Sequence, residues 1–116
     1  MAYKSLNKNK QKKQKIMNYP INKKVIIRAN RAGVFYGTLA EFDEKTRIAE
    51  IHNCRRLWYW DGAASISQMA VEGVKNPNEC KFTIYVASIQ VMEIIEIIPC
   101  TEQAIKSIEG VKEWKR

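Results

Sequence analysis

Residues Asn53-Cys-Arg-Arg-Leu-Trp-Tyr-Trp60 gather two guanidinium groups and three aromatic rings in one short segment. Nucleotide recognition uses this set: arginine grips phosphate oxygens two at a time, a flat ring stacks on the base, and an amide reads the base edge or the ribose. On an extended strand, Arg56, Trp58 and Trp60 project from one face and Asn53, Arg55, Leu57 and Tyr59 from the other, so charge and stacking surface adjoin. The same segment can instead be an aromatic flank of the core, with arginine held over tryptophan by cation–π attraction. Arg31 lies between the turn formers Asn30 and Gly33, with Arg28 just before it; either could close over a second phosphate or remain solvated surface charge. Phe35, Tyr36, Phe82 and Tyr85 alternate on strand-like runs, so some must be core. Phe35 and Phe82 are further stacking candidates, Phe82 because it follows a loop and could line a pocket.

Other chemistry finds little support. The sole histidine, His52, stands two residues before Cys54, which on a regular strand puts both on one face. A metal pair or a Cys–His nucleophile would need a third ligand or an orienting carboxylate, and the sequence offers neither. Cys54, Cys80 and Cys100 are three in number and widely spaced, so they read as reduced thiols and not as a disulfide framework. No Gly-rich phosphate loop, catalytic carboxylate pair or G-x-S-x-G elbow occurs. A non-catalytic binding protein without cofactor or metal is the expectation.

The formal net charge is +8, and residues 1–24 hold eight lysines with no acidic residue, so this end accounts for the whole excess. Residues 1–18 combine Lys, Asn and Gln with little apolar matter, a composition that predicts a mobile basic arm, either a tracker of phosphate backbones or a solubilising tail. Residues 19–116 are then one nucleotide-binding domain, since 116 residues leave no room for two. No apolar run approaches the roughly 18 residues needed to cross a bilayer, and no secretory signal is recognisable, so a cytoplasmic protein without a membrane partner is expected.

The elements that must carry these residues follow from periodicity and breakers. Lys24–Arg28 and Val34–Leu39 flank a turn and read as a hairpin; Thr46–His52 alternates and continues to Trp60, with a bulge or bend allowed in so polar a stretch. Ile66, Met69 and Ala70 have helical spacing within Ala63–Glu72, and Gly73 ends that helix. Its free N–H groups, following directly on the arginine-aromatic segment, would attract phosphate. Phe82–Val86 and Val91–Ile98 are strand-like, Pro99 stops the second, and Thr101 caps a short helix carrying Ala104, Ile105 and Ile108 up to Gly110. The fold class is α+β: an antiparallel sheet of about five strands with two short helices.

At Arg31-Ala-Gly-Val-Phe-Tyr-Gly-Thr-Leu39, Cys54-Arg-Arg-Leu-Trp-Tyr-Trp-Asp-Gly-Ala-Ala-Ser65, Glu96-Ile-Ile-Pro-Cys-Thr101 and Ile108-Glu-Gly-Val111 the sequence resembles the first Thoeris anti-defence family of small phage proteins. The resemblance spans residues 24–114 and implies a sponge that binds cyclic ADP-ribose isomers made by bacterial TIR-domain enzymes, uncleaved, in the cytoplasm of the infected host. It also implies a homodimer, assembling further to a hexamer, with cyclic di- or trinucleotides as additional ligands. Phe82 and the arginines near the aromatic run are the positions it carries over. A polynucleotide is not the expected partner on this reading. The alternatives are a small basic phage protein binding DNA or RNA through the arm, or a structural phage protein. Independently of any family, Val91–Ile98 holds more apolar residues than one buried face can use, and an open sheet leaves two edges, which points to a symmetric dimer with arginines of both chains at a shared cleft, the alternative being a monomer whose two helices cover the strand.

Overall fold

Val25, Ile26 and Ile27 are consecutive and all fully buried, which a strand achieves only when both of its faces are covered. The computed structural model, which describes residues 17–116, shows how. Strand β1 (Lys24–Ala29) pairs with β2 (Gly33–Asp43), β2 with β3 (Ile48–Tyr59), and β3 on its far side with both β4 (Lys81–Phe82) and β5 (Val86–Val91); β6 (Ile94–Pro99) returns to the free side of β1. Every strand pair is antiparallel. Because β5 and β6 lie at opposite ends of this order yet are joined by Met92 and Glu93 alone, the sheet must curl into a partly open barrel. Hydrogen bonds from Ile94 N to Arg47 O (3.0 Å) and from Asn30 N to Glu93 O (2.9 Å) hold the curl.

Curling divides the core in two. Val25, Ile27, Phe35, Leu39, Ala49, Ile51, Cys54, Val91 and Ile94 fill the barrel interior. Ile26, Tyr36, Leu57 and Phe82 face outward, onto helix α1 (Ile66–Glu72) and helix α2 (Glu102–Glu109), which contribute Met69, Ala70, Ala104 and Ile108. Ser65 caps α1 by accepting from Gln68 N (3.1 Å), and Thr101 caps α2 by accepting from Ala104 N (3.1 Å). Gly73 ends α1 at φ 81°, and a side chain there would meet Ser107 of α2, so glycine is required twice over. At Gly37 a Cβ would lie 2.6 Å from the Ile51 side chain and 2.9 Å from His52 O, the close approach that lets β2 and β3 bend together.

The α+β class and the antiparallel sheet agree with the sequence reading, and three details differ. Helix α1 begins at Ile66, not Ala63, because Ser65 takes the cap. In the run expected as a strand over Phe82–Val86, Phe82 belongs to β4 and Val86 opens β5, and Thr83, Ile84 and Tyr85 between them lie in no strand. Val86–Val91 is a strand of its own, and the expected Val91–Ile98 strand breaks at Glu93 (φ 60°), giving six strands. The basic arm expected over residues 1–18 lies, except for Met17 and Asn18, outside the described residues.

Candidate functional site

A bulge at Asn53 decides which arginine faces where. Between the pairs Tyr36↔Arg55 and Thr38↔His52, β3 advances three residues while β2 advances two, and Asn53 takes up the extra residue at φ 48°, a conformation asparagine tolerates. Before the bulge Ala49 and Ile51 point into the barrel; after it Cys54 does, and Arg56 comes to lie over the ring of Phe35, 4.7 Å from its centroid. Arg55 and Leu57 go to the helical side. His52 and Cys54, which a regular strand would align, are separated: His52 is exposed against Glu50 (2.7 Å), and Cys54 is sealed in the barrel.

Arg56 and Phe35 share a cleft of about 350 Å³ with Arg31 and Ala32 of the β1–β2 turn, Ile89 to Val91 of β5, and the Met92–Glu93 link. Its floor is the barrel core, Phe35 and Val91, and its rim is polar: Arg31, Arg56, Gln90 and Glu93. The two arginines differ in state. Arg31 is exposed and paired doubly with Glu93, Nε to Oε1 at 3.0 Å and NH2 to Oε2 at 2.6 Å. Hydrogen bonding from Arg31 holds the Glu93 carboxyl below the usual carboxylate range. Among the described residues Arg56 has no carboxylate partner, and its backbone N–H is anchored to Thr83 Oγ1 (2.9 Å), so its guanidinium is a cation over an aromatic floor with donors to spare. On its outer side β5 is paired with no strand among the described residues, leaving main-chain donors and acceptors along this wall.

Three of the nine residues singled out in the sequence, Arg31, Phe35 and Arg56, thus meet in one cleft, and the other six do not line it. Arg55 is fully buried. It donates from Nε to Thr83 O (3.1 Å), from NH1 to Ile108 O and Val111 O (both 3.0 Å) and from NH2 to Phe82 O (3.2 Å), so its guanidinium is committed to backbone and cannot reach a ligand. Phe82 is fully buried in the helical core beneath that guanidinium and is not a pocket wall. Arg28 is exposed and donates to Glu96 (2.8 Å) on β6. Asn53 is spent on the bulge, Trp60 packs half-buried against the helical core, and Trp58 stands on the surface against Trp114. The α1 N-terminus takes no part either: Ser65 Oγ and the Gln68 side chain already accept from Gln68 N and Ala64 N.

Sequence reasoning missed Gln90, Met92 and Glu93, the whole second wall. One signal was present: Val91 and Ile94 are both apolar and an odd number of residues apart, so they cannot share the inner face of one regular strand. The thiols offer no chemistry at the cleft. Burial pushes Cys54 and Cys100 up to about 12 and raises Cys80 as well. No group of three or more metal-binding side chains converges among the described residues, and no helix there is long and apolar enough to cross a membrane.

Neither a curated protein nor a solved structure matches the chain. A family of domains does match, over residues 22–108, from the turn before β1 to the last turn of α2. The barrel, α1, all of α2 but its last residue, and the cleft fall inside that span, and the chain belongs to this family, the domain of unknown function DUF6948.

Proposed function

We propose that the protein captures a cyclic ADP-ribose-type signalling nucleotide at the cleft between the β1–β2 turn and β5, holds it uncleaved, and so blunts Thoeris immunity in the cytoplasm of an infected bacterium. The observation that carries this reading is Arg56, a guanidinium with no carboxylate partner among the described residues, over the Phe35 ring beside a second arginine. Pyrophosphate oxygens have Arg56 and, on displacing Glu93, Arg31 as donors; Gln90 and the unpaired edge of β5 offer hydrogen bonds to a base or ribose. In this proposal, of the residues singled out in the sequence, Arg31 and Arg56 carry the charge, the buried Phe35 ring supports Arg56 from beneath, and Trp58, Trp60 and Phe82 have no part in the site.

The cleft of about 350 Å³ is at the small end for a nucleotide pocket, and Met92 on its rim is 58% exposed. Both features support a homodimer in which a second copy covers the exposed β5 edge and completes the site; further assembly to a hexamer rests on the family resemblance alone. Calorimetry with a panel of cyclic ADP-ribose isomers and cyclic oligonucleotides tests the reading. At least one should bind, heating the complex should release it unaltered, and Arg56→Ala should abolish binding at unchanged molecular mass. Binding of none, or recovery of a hydrolysed product, overturns it.

A further inference from the structure

We infer that Trp58, Trp114 and Lys81 form a stacking site for single-stranded nucleic acid, built from residues that do not line the cleft. Leu57 pairs with Phe82 and Tyr59 with Lys81, so Trp58 is the extra residue of a bulge, the device by which a strand re-aims a side chain. The result is a tryptophan left 58% exposed, with Tyr59 beside it 48% exposed, on the opposite side of β3's end from the buried Leu57. Its position is fixed all the same. The indole stacks on Trp114, centroids 5.3 Å apart at 19°, and Trp114 is itself held by its backbone N–H donating to Phe82 O (2.8 Å).

Cations surround the pair. Lys81 Nζ lies 5.3 Å from the Trp58 centroid and 5.6 Å from that of Trp114, and the Arg116 guanidinium lies 5.8 Å from Trp114. Among the described residues neither Lys81 nor Arg116 is in an ion pair. The one acid of the closing segment, Glu113, turns its carboxylate to Tyr85 N (3.4 Å). Tyr59, beside Lys81, continues the row of rings. An apolar protein partner would have to strip water from both cations here. A strand of bases on a phosphate chain satisfies both features at once, its bases on the rings and its phosphates on Lys81 and Arg116. A duplex cannot, because its base faces are already stacked.

The test uses the full chain and fluorescent oligothymidylate, oligouridylate and a mixed-sequence duplex of equal length, by anisotropy at physiological salt. The single strands should bind more tightly than the duplex and quench tryptophan emission, and the tighter of the two single strands identifies DNA or RNA as the partner. Trp58→Ala should weaken binding about tenfold, the loss of one good stacked base, while Trp58→Phe retains most of it. Lys81→Gln should weaken binding less and flatten its salt dependence. Trp58 is exposed, so its variants should keep the parent's unfolding temperature; Lys81→Gln decides the matter should they not. Absence of binding overturns the proposal. So does a duplex bound as tightly as single strands, or binding by Trp58→Ala within about twofold of the parent, since either leaves phosphate attraction alone.

Discussion

Replacing Arg55 by methionine tests whether this arginine belongs to the fold and not to a ligand. Methionine preserves much of the buried stem, so the cavity contribution is small, and what disappears is the guanidinium. Three of its acceptors, Ile108 O, Val111 O and Phe82 O, are buried, and two of these lie at the C-terminal end of α2 and just beyond it, where a cation meets the carbonyl ends of the helix. Without the guanidinium Val111 O is buried with no donor, at about 1–3 kcal/mol, while Phe82 O and Ile108 O keep only their backbone donors, Trp114 N and Val111 N, and each loses a bond of about 1 kcal/mol, hence about 3–5 kcal/mol in sum. That is a large part of the roughly 5–15 kcal/mol expected for a domain of this size. With a urea slope of about 1–2 kcal/mol/M, the unfolding midpoint should fall by about 2 M. Arg56→Met, at the exposed neighbour, should move it by less than about 0.5 M on the same slope. A loss for Arg55→Met below about 1 kcal/mol, or one no greater than that for Arg56→Met, would refute the assignment.

Removing the competitor of Arg31 should sharpen the cleft: Glu93→Gln is expected to tighten binding of an anionic nucleotide severalfold in calorimetry, and weaker binding would show that Glu93 orients Arg31 for the ligand. The buried thiols should resist iodoacetamide at neutral pH in the native protein and all react in urea, read by intact mass; modification of Cys54 before unfolding would contradict its place in the barrel. Stability should fall at both ends of the pH scale. Burial raises the Glu109 carboxyl, but hydrogen bonds from Lys24 and Tyr36 outweigh it and the net shift is down, so its contribution is present above about pH 4.3 and lost as pH falls through the lower folded value. Thermal melts of Glu109→Gln should therefore show a shallower acid decline than the parent. At the other end, Cys54 and Cys100 are raised by burial, so stability is intact below about pH 8.5 and declines as pH rises towards their folded value of about 12. Substituting both by alanine should reduce that alkaline slope.

What the sequence made legible was whatever depends on local periodicity. The β1–β2 hairpin, the Thr101 cap and the Gly73 stop follow from neighbours in the chain, and all three are where the pattern puts them. What it concealed depends on parity. Counting alternate residues through Asn53 assigns Arg55 and Arg56 to faces without saying which face is barrel and which is helix, and the inserted residue reverses the answer midway. Arg55 was therefore an attractive phosphate ligand by type, although the carbonyls of Phe82, Thr83, Ile108 and Val111, distant in sequence, claim it entirely. Phe82 misled for the same reason: its place after a loop suggested a rim, and only the packing of α2 shows it to be core. Gln90 was invisible because its strand pairs with β3 across an inserted helix, a contact that no local pattern encodes.

If the cleft binds a nucleotide as proposed, the two adjacent arginines let one short strand serve stability and recognition together. Arg55 fastens the helical layer to the barrel, and this fixes β3 on the side away from the cleft. On the near side Arg56 inherits that rigidity through its backbone bond to Thr83, so its guanidinium is presented from a fixed base over a fixed ring. The opposite rim is built differently. Arg31 belongs to an exposed turn and is held by a surface carboxylate, an interaction that water screens and that phosphate can replace at little cost. One wall is thus preorganised and the other exchangeable. A ligand anion would first meet Arg56 and then draw Arg31 from Glu93, so charge contributed by Arg56 should govern affinity, while the Arg31–Glu93 exchange should govern how far the cleft discriminates among anions of different shape.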